Sequence, residues 1–305
     1  MISGLNPSRL SFVTNVDQLQ EQLAKVQNEL ASGLKVNSAA DAPDQVSPIL
    51  TLHSNIAQNQ QIQNNLTATQ GVVNTADSNL SNAITLLDQA QTYATQALGI
   101  NQSATTRATL SSNVTALLQQ MVSISQTEMG GRYIFSGDAD QSPSYQYNPN
   151  SPTGVDRLQV SASTQQAEDA NGNRFPVALT ANQIFDVRDS SDQPTAGNVF
   201  AALNSLRVAL ANNDTAGIQS SQTAVQQASA YLNEQQGFYG NAENRISGAL
   251  TDAQTANVAL QTDLSNREDA DSTSDIVKMQ QYITNLQAAI ASEAKMPTQT
   301  LFDQL

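Results

Sequence analysis

Apolar residues at the start of the chain recur at alternating intervals of four and three. Phe12, Val16, Leu19, Leu23, Val26 and Leu30 fall on one helical stripe, the spacing of a coiled-coil seam. Gly33 ends that helix, and residues 37–48, with Pro43 and Pro48, read as a loop handing over to a second one. From residue 49 to about 98 the stripe continues through Ile56, Leu66, Val73, Leu80, Leu87 and Ala94, interrupted only by Gly71. After a break at 99–103, Leu110, Val114, Leu117, Met121 and Ile124 restore it until Gly130-Gly131.

Between about 132 and 197 helical periodicity disappears. Pro, Gly, Asn and Asp cluster there, and 133–135, 156–160 and 175–179 read as strands of a small β-rich unit. Helices resume with Val199, Leu203, Leu206 and Leu210, then Ile218, Val225 and Leu232, then Ile246, Leu250, Ala253, Leu260 and Leu264. A last stripe, Ile276, Met279, Ile283, Leu286 and Ile290, mirrors the first. The pattern predicts a mainly α fold: an elongated antiparallel helical bundle with terminal coiled-coil helices and a small central β-rich insertion. Its expected domains are 1–40 with 266–305 as a terminal coiled coil, 41–131 with 197–265 as a helical rod, and 132–196 as the β-rich outer unit.

Composition sharpens this. Hydrophobic residues are 39% of 305, below the roughly 45–50% of ordinary chains, and tryptophan is absent, so narrow seams rather than one thick core are expected. Such Ser/Gln/Asn-rich terminal helices are marginal alone, which predicts ends that order on assembly. Charged residues are 13%, and 13 basic against 27 acidic side chains give a net charge of −14, which disfavours nucleic acid and anionic membranes as partners. No cysteine is present, so disulfides, thiolate zinc sites and cysteine nucleophiles are excluded. Residues 1–12 lack the basic segment and apolar run of a cleavable signal, and no segment has the apolar length of a membrane span.

Catalytic chemistry finds little to work with. His53, the single histidine, has no cysteine or second histidine to join in a metal site and is assigned to a polar helix face. The acidic group Glu268, Asp269, Asp271 and Asp275 lacks the glycine turn and ligand spacing of a calcium loop and reads as a solvated helix entry. Tyr133 and Phe135, at alternate positions, read as core of the small unit, and Arg132 and Arg245 as partners of carboxylates or carbonyls between helices. No cofactor, metal or catalytic residue is expected, and the chain is read as a non-enzyme.

Three motifs carry a resemblance. Residues 32–43, from Ser32-Gly33 through Asn37 to Asp41-Ala42-Pro43, resemble the conserved loop of the flagellin family, where a helix ends at Ser-Gly and Asn precedes a small-and-acidic run. Gly240 with Asn244, Arg245 and Ile246 is similar to the family's Gly followed by Asn-Arg and an aliphatic residue, and Glu268-Asp269-Ala270-Asp271 to its acidic step before the last helix. Within the family, Gly131-Arg132-Tyr133-Ile134-Phe135-Ser136-Gly137, Asn198-Val199-Phe200-Ala201-Ala202-Leu203 and the C-terminal Leu301-Phe302-Asp303-Gln304-Leu305 resemble the hook-associated branch. Pro297 departs from an uninterrupted last helix.

The resemblance implies a structural subunit of the bacterial flagellum, exported uncleaved through the flagellar type III channel, that joins hook to filament; the alternative is a filament-forming flagellin with a short outer domain. Its implied partners are further copies of itself in a ring or helical assembly, a neighbouring hook-associated protein and flagellin, and an export chaperone at the C-terminal segment. The two terminal seams are the expected assembly surfaces.

Overall fold

A computed structural model describes residues 7–294. In chain order it contains α1 (Pro7–Ser32), α2 (Val46–Ala97) and α3 (Ala104–Ser125), then six short strands, β1 (Glu128–Met129), β2 (Arg132–Tyr133), β3 (Tyr145–Tyr147), β4 (Val155–Arg157), β5 (Gln166–Glu168) and β6 (Arg174–Pro176). There follow α4 (Ala181–Ile184), α5 (Val199–Ala211), α6 (Thr215–Glu268) and α7 (Ser272–Glu293). The fold is mainly α with small antiparallel strand pairs, as the periodicity predicts. Its contacts form two compact units, Met1–Gln58 with Ala256–Leu305 and Asn59–Thr255, divided inside α2 and α6. Among the described residues no helix is long and apolar enough to cross a membrane.

The larger unit is organised by heptads. On α2, Leu66, Val73, Leu80, Leu87 and Ala94 are buried at intervals of seven, and Ala76, Ala83, Ala90 and Ala97 form a second buried row three residues on. The alanines let neighbouring backbones approach closely beside the larger row. On α6, Ile218, Val225, Leu232, Tyr239, Ile246 and Ala253 are buried at the same interval. This unbroken row explains why one 54-residue helix stands where the sequence suggests two separate stripes. Gly237, Gly240 and Gly248 each cost about 1 kcal/mol against alanine, which six buried anchors at roughly 1.5–3 kcal/mol apiece for the larger side chains outweigh.

α3 and α5 begin on capping side chains, Ser103 accepting from the Thr106 amide and Asn198 from the Ala201 amide. α3 packs on α5, and Ser111 Oγ donates to the Arg207 carbonyl between them.

The β-rich segment shares that apolar core. Phe135, Tyr145, Phe175 and Phe185 belong to the same buried cluster as Leu118, Phe200 and Leu203. Phe135 stands edge-on to Phe185 at 5.7 Å, and Tyr145 and Phe200 lie 5.1 Å apart. The strands pair as three antiparallel ribbons, β1–β2, β3–β4 and β5–β6. Three of the six were not anticipated, and those that were are shorter than the apolar runs suggested. Gly130 and Gly131, expected to end α3, instead form the turn of β1–β2 with φ of +62° and +77°, while α3 stops at Ser125. Two consecutive positive-φ glycines match the twist of a tight hairpin.

Beneath these ribbons Asp186 is buried with every acceptor used. One oxygen takes hydrogen bonds from Tyr145 Oη (3.1 Å) and Arg157 Nε (3.2 Å), the other from Arg188 Nε (2.9 Å) and Asn198 Nδ2 (2.7 Å). Burial beside this carboxylate pushes the Tyr145 hydroxyl pKa far above its ordinary range.

Candidate assembly interface

The smaller unit pairs the two ends of the chain. α1 packs against α7, and the inward line of α1 contains Phe12, Val16, Leu19, Leu23, Val26 and Leu30, the six expected positions, of which Val26 is buried and the others half-buried. On α7 the inward line is Asp275, Met279, Tyr282, Leu286 and Ala289. Met279 and Leu286 therefore lie where the sequence puts them, whereas Ile276, Ile283 and Ile290 lie one residue beyond the contact line, on the exposed side.

The reason is polar. Asp275, 3% exposed, takes a 2.9 Å ion pair from Lys278, and Glu29, also buried on α1, lies close enough to raise the Lys278 pKa further, after the Asp275 hydrogen bond that is its main cause. A satisfied carboxylate thus occupies a seam position that apolar periodicity assigns elsewhere.

Where α1 ends and α7 begins, two motifs separated by more than two hundred residues meet. Gly33, with φ +74°, reverses the chain and its amide donates to the Glu29 carbonyl; Ser32 Oγ accepts from the Leu34 amide. The chain then runs antiparallel to the segment entering α7. The Lys35 amide donates to the Glu268 carbonyl (2.8 Å), the Ala270 amide to the Gly33 carbonyl (2.9 Å), and Lys35 Nζ to the Asn266 carbonyl (2.6 Å).

The loop beyond is fixed by Asp41, whose carboxylate accepts from the Asn37 and Ser38 amides and the Ser38 hydroxyl. The Ser38 bonds hold its pKa below the usual carboxylate value. Asn37 Nδ2 returns to the Leu34 carbonyl (2.8 Å).

The acidic group is divided among separate partners. Asp271 caps α7 by accepting from the Thr273 and Ser274 amides, Asp269 accepts from Ser265 Oγ, and Glu268 Oε2 lies 3.2 Å from Nε2 of His53, on α2. Among the described residues no group of His, Asp and Glu could hold a metal ion.

Other motif residues lie in the larger unit. Arg132 pairs with Asp140 at 3.0 Å on the surface, Phe135 is core, and Tyr133 is half-buried. Asn244 lies on α6 beside Arg245, whose guanidinium sits 4.2 Å from the centre of the Phe175 ring instead of meeting a carbonyl. Pro297 and residues 301–305 fall outside the described residues. Sequence reasoning missed the Lys35–Glu268 and Ala270–Gly33 pairings, for which the only signal was that both motifs flank terminal helices.

Comparison with known proteins agrees with this geometry. Residues 5–140 match the family described as the bacterial flagellin N-terminal helical region. Flagellin A of Helicobacter felis is 28% identical over 200 residues, covering 62% of this chain and 37% of that protein. Flagellar hook-associated protein 3 of Escherichia coli is 27% identical over 195 residues, 63% of this chain and 61% of that one. The chain thus spans less than two thirds of the length of either. The crystal structure of Bacillus cereus FlgL shares the fold with a TM-score of 0.55 at 18% identity, over 72% of this chain and 100% of that one. The chain is thus similar to the flagellin family across its N-terminal region, and the motifs that carry the resemblance are the ones that join its two ends.

Proposed function

We propose that this chain is a structural, non-enzymatic component of the bacterial flagellum that sits at the hook–filament junction and acts through contacts between subunits. The observation that carries the reading is the outer side of the paired terminal helices. Ile276, Ile283 and Ile290 are 45%, 36% and 55% exposed at intervals of seven on α7, and Leu10 and Val13 on α1 are more than half exposed. A repeating apolar row that its own hairpin does not cover is suited to a neighbouring helix. In this reading one row, Leu23 and Leu286 among it, closes the hairpin and the adjacent row meets further copies, a hook-associated neighbour and flagellin.

Export through the flagellar channel, with a chaperone on the C-terminal segment, belongs to the same proposal: helices ordered chiefly by partners can be threaded and then docked. The similarity to Flagellin A supports a second reading, a filament subunit with a short outer unit. Quantitative mass spectrometry of flagella sheared intact from cells separates them. A trace, fixed ratio to flagellin at the hook end is the expected result, a bulk amount would make the chain the filament subunit, and absence would end both readings.

A further inference from the structure

The most exposed large apolar side chain of the described residues is Ile100, at 92%, in the turn between α2 and α3. That turn is built. The Gly99 amide donates to the Gln96 carbonyl, and Asn101 holds a left-handed φ of +72°. Arg107, near the start of α3, donates from Nε to the Ala97 carbonyl (3.0 Å) and from Nη1 to Asn213 Oδ1 (2.6 Å) in the adjoining α5–α6 turn, where Asn213 is itself left-handed at +55°. Arg107 thus ties the C-terminal end of α2, just before the turn that carries Ile100, to the α5–α6 turn, which gives that turn a fixed support.

On the same unit an open groove of about 410 Å³ lies between α2 and α3, lined by Asn82, Thr85, Leu86, Gln120, Ser123 and Ile124. Its apolar floor, Leu86 and Ile124, is rimmed by amides and hydroxyls. Copies of a chain with a net charge of −14 repel one another least where charge is sparse, and apart from His53 the only ionisable side chains of α2 and α3 with formal charge are Asp77, Asp88 and Arg107. Groove and turn share two helices, and at 1.5 Å per residue their separation along α2 is about 20 Å.

We propose that Ile100 is a knob that seats in the α2–α3 groove of a second copy of this chain. The contact is heterologous, since knob and groove are different patches, so it propagates from copy to copy with a stagger of about 20 Å instead of closing a two-fold dimer. It rests on the self-assembly reading above and adds to it a specific lateral contact away from the terminal helices.

The absence of native cysteine makes the test direct. Full-length Ile100→Cys and Thr85→Cys proteins are mixed under conditions where wild-type chain self-associates, then mildly oxidised. The expected product is an Ile100→Cys/Thr85→Cys cross-linked dimer, absent when Ile100→Cys is mixed with Gln219→Cys on α6. Ile100→Asp should weaken self-association at least about tenfold with an unchanged circular-dichroism spectrum. Assembly without the cross-link, or unaffected by Ile100→Asp, would overturn the knob while leaving the self-assembly reading intact; a wild-type chain that stays monomeric at every concentration would overturn both.

Discussion

Replacing Gly33 tests whether the closure between the two chain ends is held by its backbone geometry. Gly33 adopts φ +74°, and a Cβ built there meets nothing within 4 Å, so the substitution adds no steric clash and its effect is conformational. A left-handed residue bearing a Cβ costs about 1–2 kcal/mol. Restricting the unfolded chain returns about 0.4–1 kcal/mol of that. Gly33→Ala should therefore weaken the closure by roughly 1 kcal/mol, and Gly33→Asn, which tolerates this conformation, by much less. Two amides report on the closure without ambiguity, Lys35, bonded to the Glu268 carbonyl, and Ala270, bonded to the Gly33 carbonyl. Native-state hydrogen exchange should show their protection falling about fivefold in Gly33→Ala, with the amides around Leu80 and Leu232 unchanged. Equal losses for Ala and Asn, or no loss at either amide, would refute the reasoning.

Three further outcomes follow from the same structure. Asp41 has a folded pKa below its unfolded value near 3.9, so its contribution is complete above that value and disappears as pH falls through the lower, folded one; NMR titration of the Asn37 and Ser38 amides should show the loop releasing only below about pH 4, and Asp41→Asn should remove this dependence. Asp186→Ala leaves Arg157, Arg188 and the Tyr145 hydroxyl without their shared acceptor beneath the β ribbons, and denaturant unfolding should register a loss of about 3–5 kcal/mol, against less than 1 kcal/mol if the network is dispensable. Leu23→Asp with Leu286→Asp should abolish sedimentable assembly while the heptad-packed unit keeps its helical signal; retained assembly would show that the terminal pair is not a subunit contact.

The helices were legible because their anchors are large and regularly spaced: Val73, Leu80 and Leu87 announce α2, and Val199, Leu203 and Leu206 announce α5. What escaped was carried by small or polar residues. The buried Ala76–Ala83–Ala90–Ala97 row has no hydrophobic contrast with the serines and threonines around it, although it occupies half of the packed face. Three of the five expected α7 positions, Ile276, Ile283 and Ile290, lie one residue off the line that faces α1 for a related reason. Ile276, Ile283 and Ile290 are the more apolar row, but the inward row begins with Asp275, whose burial is possible only because Lys278 neutralises it, and that pairing is invisible to periodicity. The strand pairs β3–β4 and β5–β6 are three residues long, too short for alternation to stand out, and their anchors Tyr145 and Phe175 are fixed by Phe200 and Arg245 from distant helices. Of the candidate assembly surface, the motifs at 32–43 and 268–271 were recognisable individually; their mutual pairing is a tertiary fact.

The terminal pair and the larger unit obtain their order by different means, and the difference bears on how such a chain could work. Along α2 and α6 entire heptad rows are buried, so helix formation and core formation are one event. In the smaller unit α1 buries one apolar side chain, Val26, and the one buried side chain of α7 is a carboxylate. Two helices present too little mutual surface to do better, since each can cover only one stripe of the other. The closure at Gly33 and Ala270 does not remedy this, but it fixes which residues of α1 face which of α7 at one end of the pair, leaving the helices to separate from the Pro7 and Glu293 end. A device that sets register without supplying much burial leaves the apolar row Ile276–Ile283–Ile290 correctly oriented yet uncovered. On the assembly reading proposed above, a neighbour covering that row supplies the free energy that completes the folding of these helices, which couples their order to docking.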